Sequence, residues 1–287
     1  MNRYQLARTP GEALQFLQEA DGQARLLAGG TDLWLERKEG KNQSDFLVDI
    51  SRVEELRDIR REGTALWIGA AVTFRELEKD PLTGRLTPAL SGAAAQMGSP
   101  QIRNVATIGG NLVTAQPAAD AMIPLFALEA LAEVQDPGGV RRIPLASCYR
   151  ELGVSRIDPT RQLVRGFVIP DVKTPGRVSA SRRLARRKAL TLPVAGCAVS
   201  FVREGGRIRD PRVVAAPLGI HPQRITALED WLAERDRPGV PESLPEEVFR
   251  DCAFRDSALR GSGIYRSRIL PVLILEALQE AWNREVE

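Results

Sequence analysis

The 287-residue sequence predicts an α+β protein built in three parts, the last an antiparallel sheet with helices. Three observations point there. Short apolar runs alternate with an amphipathic stretch up to about residue 55, as in a βαβ-like unit. Prolines and glycines then cut the next stretch into short helices and strands. Finally a polar, Pro- and Gly-containing connector, "DVKTPGRVSAS" at 171–181, precedes a set of β-prone runs and two helical ones. The parts expected are 1–55, 56–175 and 176–287. Single cores rarely grow much beyond about 250 residues, which also favours more than one part.

Each element has its own signal. "PGEALQFLQEA" at 10–20 has the apolar spacing of a short helix, and "ARLLAGG" reads as a buried strand ending in a Gly-Gly turn. A helix or an extended segment follows through "TDLWLERK", and "DFLVDI" is a further strand. "VEELRDIRREGTALWIGAAVT" predicts a helical turn and then a hairpin turned at Glu62-Gly63. Residues 74–97 read as helix broken at Pro81 and Pro88, since proline lacks the N–H that a helix interior needs. "AMIPLFALEALAEVQ" is apolar nearly all round, a buried helix running into a strand. Asp136-Pro137-Gly138-Gly139 is a strong turn, and "LVRGFVIP" is a strand stopped by Pro170.

In the last part, "SRRLARRKALTLPVAGCAVSFVREGGRIRDPRVVAAPLG" predicts an antiparallel meander of three strands. Its turns are expected at Glu204-Gly205-Gly206 and at Asp210-Pro211. "RITALEDWLAER" and "GIYRSRILPVLILEALQEAWNRE" are helical by period, the second interrupted near Pro271. Its apolar run at 269–278 is expected in the chain's own core rather than against a partner.

Composition bounds the chemistry. The net charge of +3 gives no reason to expect nucleic acid or an anionic membrane, although residues 1–140 carry −5 and the remainder +8. No apolar run approaches a membrane span and the start lacks a signal-peptide core, so a cytoplasmic protein is expected. Cys148, Cys197 and Cys252 are too widely spaced for a metal ribbon, a cluster or a disulfide framework. The one histidine, His221 before Pro222, reads as a surface-loop residue rather than a ligand. P-loop and GxGxxG patterns are absent, "GSGIY" at 261–265 supplying only GxG. The basic run "RRLARRK" reads as a solvated strand edge.

Two glycine pairs remain, in "LLAGGTDLW" at 26–34 and "ATIGGNLVTAQPAAD" at 106–120. Consecutive glycines reach φ > 0 and gather backbone N–H groups into a concavity that binds phosphate oxygens, and without Cβ atoms the backbone approaches a ligand closely. Thr31, Thr107 and Thr114 add hydroxyls, and Asn111 tolerates a left-handed conformation while donating through its amide. Pro117 reads as a helix start. Asp120, close to such a phosphate, suits ribose or ribityl hydroxyls. Together the loops suggest a diphosphate held between two lobes.

The constellation resembles the FAD-binding (medium) subunit of molybdenum hydroxylases, the xanthine dehydrogenase and carbon monoxide dehydrogenase family. It is carried by "ARLLAGGTDLW", "IGAAVTFRELE", "RRLARRKALTLPVAGCAVSF", "PQRITALEDWL", "GIYRSRILPVLILEAL" and, most specifically, "QIRNVATIGGNLVTAQPAAD". The resemblance implies the FAD-binding fold of the vanillyl-alcohol oxidase / p-cresol methylhydroxylase type. It implies FAD contacts at Leu27, Ala28, Gly29, Gly30, Thr31, Asp32 and Leu33 from the first lobe. From the second it implies Thr107, Gly110, Asn111, Thr114 and Asp120, with Leu163 and Arg183 at further contact positions. This chain departs from the pattern at Gln116, where a small residue is usual, at Thr191, where an acid is common, and at Met97, which matches an aromatic in purine-oxidising relatives.

The implied function is electron relay in an oxidoreductase. A molybdenum-cofactor large subunit and a 2Fe-2S small subunit would be partners, and NAD, a quinone or O2 the acceptor. No residue of this chain is expected to be catalytic and no metal is expected in it. Two other readings stay open: a self-sufficient flavin oxidase, or a scaffold subunit that has lost FAD.

Overall fold

The computed structural model describes residues 3–185, 193–257 and 261–285. At the start β1 (Arg3–Leu6), α1 (Pro10–Glu19), β2 (Ala24–Leu27), α2 (Leu33–Lys38) and β3 (Phe46–Asp49) form a small parallel sheet in the order β1-β3-β2. Thr9 caps α1 by accepting from the Glu12 N–H, and Ala13, Leu14 and Leu17 turn inward onto Phe46 and Val48.

A single turn at Glu54–Leu56 leads to the hairpin of β4 (Ile59–Glu62) and β5 (Ala65–Gly69). Its turn falls on Gly63-Thr64, one residue later than expected, because Gly63 takes the left-handed φ of +64°. Three short helices follow, α3 (Phe74–Lys79), α4 (Pro81–Leu86) and α5 (Pro88–Gln96). Both predicted breaks are present: Pro81 and Pro88 open α4 and α5, where a missing N–H costs nothing. Then come α6 (Pro100–Arg103), α7 (Ile108–Val113), α8 (Met122–Ala127), β6 (Leu131–Asp136), β7 (Gly139–Pro144), the small hairpin of β8 (Tyr149–Glu151) and β9 (Val154–Ser155), and β10 (Leu163–Ile169). The five-stranded sheet has the order β4-β5-β10-β6-β7, so its central strand is the last to arrive in sequence. β10 pairs antiparallel with both β5 and β6.

The last sheet is antiparallel, in the order β11 (Arg177–Leu184), β12 (Ala195–Glu204), β13 (Arg207–Ala216), β14 (Gln223–Arg224), with α9 (Thr226–Glu234) and α10 (Gly263–Trp282) packed on it. Three expectations are corrected here. The polar stretch 171–181 is not all connector, since β11 begins at Arg177. Its serines are polar because they serve α5: Ser181 donates to the Ala89 carbonyl at 2.8 Å and Ser179 accepts from the Ala89 N–H. Asp210-Pro211 is not a turn, for β13 runs through it. A register shift near Ser200 and a φ of +43° at Asp210 absorb the proline as a bulge. Nor does Pro271 interrupt α10, which continues through it for another eleven residues.

The apolar run of α10 sits in the chain's own core, as expected. Leu270, Leu273, Ile274, Ala277 and Leu278 pack against Val178, Val199 and Phe201. A smaller cluster joins α8 to the third sheet, with Ile123 and Ala127 against Ala198 and Val214. Beside it Glu129 pairs with Arg212 and Arg224, both at 2.9 Å. Among the described residues no helix is long and apolar enough to cross a membrane.

Candidate functional site

The chain leaves β2 after Leu27 and runs against the loop between α6 and α7. Gly29 lies so close there that a Cβ would fall 1.9 Å from the Val105 carbonyl oxygen. The first glycine thus serves the close approach of this loop to the loop between α6 and α7. The second, Gly30, turns the chain with φ +71°. None of the N–H groups of residues 29–33 donates to a described residue. Residues 28–33 line a cavity of about 590 Å³, within the usual range for a cofactor or small-molecule site.

The opposite wall is built around α7. Thr107 caps this helix by accepting from the Gly110 N–H at 3.2 Å. Gly109 sits against the second sheet, where a Cβ would lie 2.6 Å from that of Ala70, while its N–H donates to the Ala70 carbonyl. At Gly110 a Cβ would meet only the Thr107 hydroxyl, at 3.1 Å, and the residue lines the cavity. This corrects the sequence reading: neither glycine of the second pair has φ > 0, because both lie in the helix. Asn111 is helical too. Its Oδ1 accepts from the Ala121 N–H at 3.2 Å, which leaves its NH2 group for the cavity. The left-handed residue is Ala115, with φ +49°. Pro117 opens a turn, not a helix, since α8 starts at Met122.

Asp120 therefore sits on the loop before α8, lining the cavity and nearly buried. Burial pushes its carboxyl up to about 6, against the opposing pull of Arg183, whose Nη1 lies 3.1 Å from Oδ1. Thr114 and Leu163 complete the expected lining. Leu27 and Arg183 do not line the cavity: Leu27 ends β2 behind Gly30, and Arg183 reaches Asp120 from β11. Residues that sequence reasoning passed over line it as well, notably Ile102, Gln162 and the β8–β9 hairpin through Gly153 and Val154. Strands of two and three residues are too short for periodicity to register, but Gly153, at φ +70°, was a usable signal. Met97 and Gln116 line the cavity too. Thr191 and the end of the basic run, from Arg186 to Lys188, lie outside the described residues.

Neither histidine nor cysteine is among the lining residues. His221 lies half-buried on the loop before β14: its ring stacks on Phe126 with centroids 5.3 Å apart, and Nδ1 faces the Pro222 carbonyl. No group of acidic, His or Cys side chains among the described residues could hold a metal. A row of unspent N–H groups beside a positive-φ glycine, facing a wall of hydroxyl and amide groups, fits a dinucleotide with a diphosphate.

Residues 1–172 match the family described as the FAD binding domain in molybdopterin dehydrogenase. The chain belongs to that family. This FAD-binding subunit is 34% identical to the xanthine dehydrogenase FAD-binding subunit of Escherichia coli O157:H7 over 260 residues, 87% of this chain and 86% of that one. It is 30% identical to the carbon monoxide dehydrogenase medium chain of Hydrogenophaga pseudoflava over 214 residues, 73% and 72% of the two chains. A solved structure of carbon monoxide dehydrogenase from Hydrogenophaga pseudoflava, lacking the Mo-pyranopterin moiety, superposes with a TM-score of 0.86 at 27% identity. The match covers 98% of this chain and 96% of that chain. The fold is thus the FAD-binding α+β fold with its C-terminal antiparallel sheet, and the FAD-binding subunit is an oxidoreductase component.

Proposed function

We propose that the subunit relays electrons within a multi-subunit molybdenum hydroxylase of the cytoplasm. It would take them from the iron–sulfur clusters of a 2Fe-2S small subunit, while a molybdenum-cofactor large subunit oxidises the substrate. NAD, a quinone or O2 would receive them. FAD, when bound, supplies the one- and two-electron chemistry. In this reading residues 1–55 and 56–175 are the two FAD-binding lobes and 176–287 the C-terminal subdomain.

The observation that carries the proposal is the cavity itself, whose first wall presents the unspent backbone N–H groups of residues 29–33 beside the Thr31 hydroxyl. The N–H groups of residues 29–33 and the Thr31 hydroxyl hold the diphosphate. Thr107, Gly110, Asn111, Thr114 and Asp120 hold the cofactor from α7 and the loop beyond it, with Leu163 as an apolar contact. No residue here abstracts a proton from an organic substrate. Relatives named for xanthine and carbon monoxide oxidation support the partner assignment.

The test is reconstitution. The isolated chain should bind one FAD and release it fully on acid precipitation. Candidate hydroxylase substrates should leave that FAD oxidised until the two partner subunits are added. Rapid bleaching by the lone chain would replace the relay with a self-sufficient oxidase.

A further inference from the structure

Arg183, on β11 of the third sheet, ties down two pieces of the cavity wall at once. Its Nη1 lies 3.1 Å from the Asp120 carboxylate and donates to the Gln96 carbonyl at 2.6 Å. Gln96 ends α5, immediately before the cavity-lining Met97. Asp120 begins the approach to α8, which starts two residues later. The two tethered points, the end of α5 and the loop before α8, are separate parts of the second unit, and both side chains of the ion pair are largely buried.

We propose that Arg183 is a positioning residue of the cofactor site: delivered from β11, its guanidinium fixes the Asp120 loop and the end of α5, and holds the Asp120 carboxylate ionised for the cofactor's hydroxyls. The inference rests on the FAD reading above and deepens it. Among the described residues Arg183 is the only charged group acting on Asp120, from β11; α5, α7 and α8 contribute none. Burial alone favours the neutral acid, which would donate one hydrogen bond instead of accepting several. The arginine opposes that. Lysine can supply the charge, but its ammonium is a point charge on a flexible stem and holds two acceptors in fixed directions less well than a rigid planar guanidinium does. The third sheet, none of whose described residues lines the cavity, thereby sets how tightly and over what pH range the cofactor is held.

The experiment is an equilibrium FAD titration of the full chain, by flavin fluorescence, between pH 5 and pH 8. Wild type, Arg183→Gln, Arg183→Lys and Asp120→Asn are compared, with circular dichroism as the check on folding. Wild type should bind FAD tightly above about pH 6 and lose affinity below it. Arg183→Gln should bind about tenfold more weakly at pH 7, with its pH midpoint raised by about one unit. Arg183→Lys should fold and keep a midpoint near that of wild type while losing part of the affinity. Asp120→Asn should abolish the pH dependence, and adding Arg183→Gln to it should cost much less than in wild type. An unchanged midpoint in Arg183→Gln, whether affinity is kept or lost equally at every pH, overturns the proposal. A wild type that binds no FAD at any pH overturns the functional reading instead.

Discussion

At Gly109 an added methyl would sit 2.6 Å from the Cβ of Ala70, whereas at Gly110 it would meet only the Thr107 hydroxyl. Gly109→Ala should therefore cost several kcal/mol of stability, because a sheet backbone must move to admit it. Gly110→Val should leave the fold largely intact and instead crowd the cavity, weakening FAD at least tenfold; a urea titration and a flavin titration separate the two. A Gly110→Val chain with wild-type affinity would remove this wall from the site. The Gly-Gly pairs were legible in the sequence as markers of the site, but not their division of labour, which depends on what packs behind each one. Asp120 was legible for the same reason, whereas its pairing with Arg183 depends on where the third sheet docks. That pair gives a pH signature. With a folded value of about 6 against 3.8 for the unconstrained acid, the native state holds the proton more firmly. Stability from this group is full below about pH 4 and is lost as pH rises through 6, at most about 3 kcal/mol. In the cofactor-free protein Asp120→Asn should remove that component from the stability difference between pH 4.5 and pH 7.5. An unaltered difference would mean that the carboxyl is already ionised at the lower pH.

Pro81, Pro88 and Pro271 look alike in sequence, and the structure treats them differently. The first two open helices and were read correctly, because a proline at the first helical position loses no bond; before Pro81, Asp80 also caps α4 by accepting from the Thr83 N–H at 2.9 Å. Pro271 lies within α10, where the burial of Leu270, Leu273 and Ile274 on the sheet holds the helix together across a missing bond. Tertiary packing outweighs a local breaker there, as pairing with β12 does at Pro211. Pro271→Ala should accordingly raise the urea midpoint, by about 1–3 kcal/mol of stability, since it restores a donor to the Ser267 carbonyl. A lower midpoint would show that the ring itself fills space the core needs. The strands of the third sheet were legible as β-prone runs, and the helices of the second unit from their prolines. The β8–β9 hairpin was not, having too few residues to show a period.

Across the whole molecule the second unit is held from both sides, by Gly29 against Val105 and by α8 against the third sheet. Its own sheet imposes an order in time. β10 lies between β5 and β6, yet β5 ends at Gly69 and β10 begins at Leu163. A ribosome working at about 5–20 residues per second leaves the edge of β5 waiting roughly 5–20 s for its partner. During that interval Leu66 and Ile68, fully buried in the finished protein, have no central strand to cover them. Chains stopped at residue 160 should be protease-sensitive and unable to retain flavin, while full-length chains resist and retain it. Flavin held by the shorter chain would contradict this order. The vulnerable species in the cell is thus the half-made polypeptide with two unpaired strand edges, and a chaperone that shields such edges would raise the yield of flavin-loaded subunit without touching the cavity.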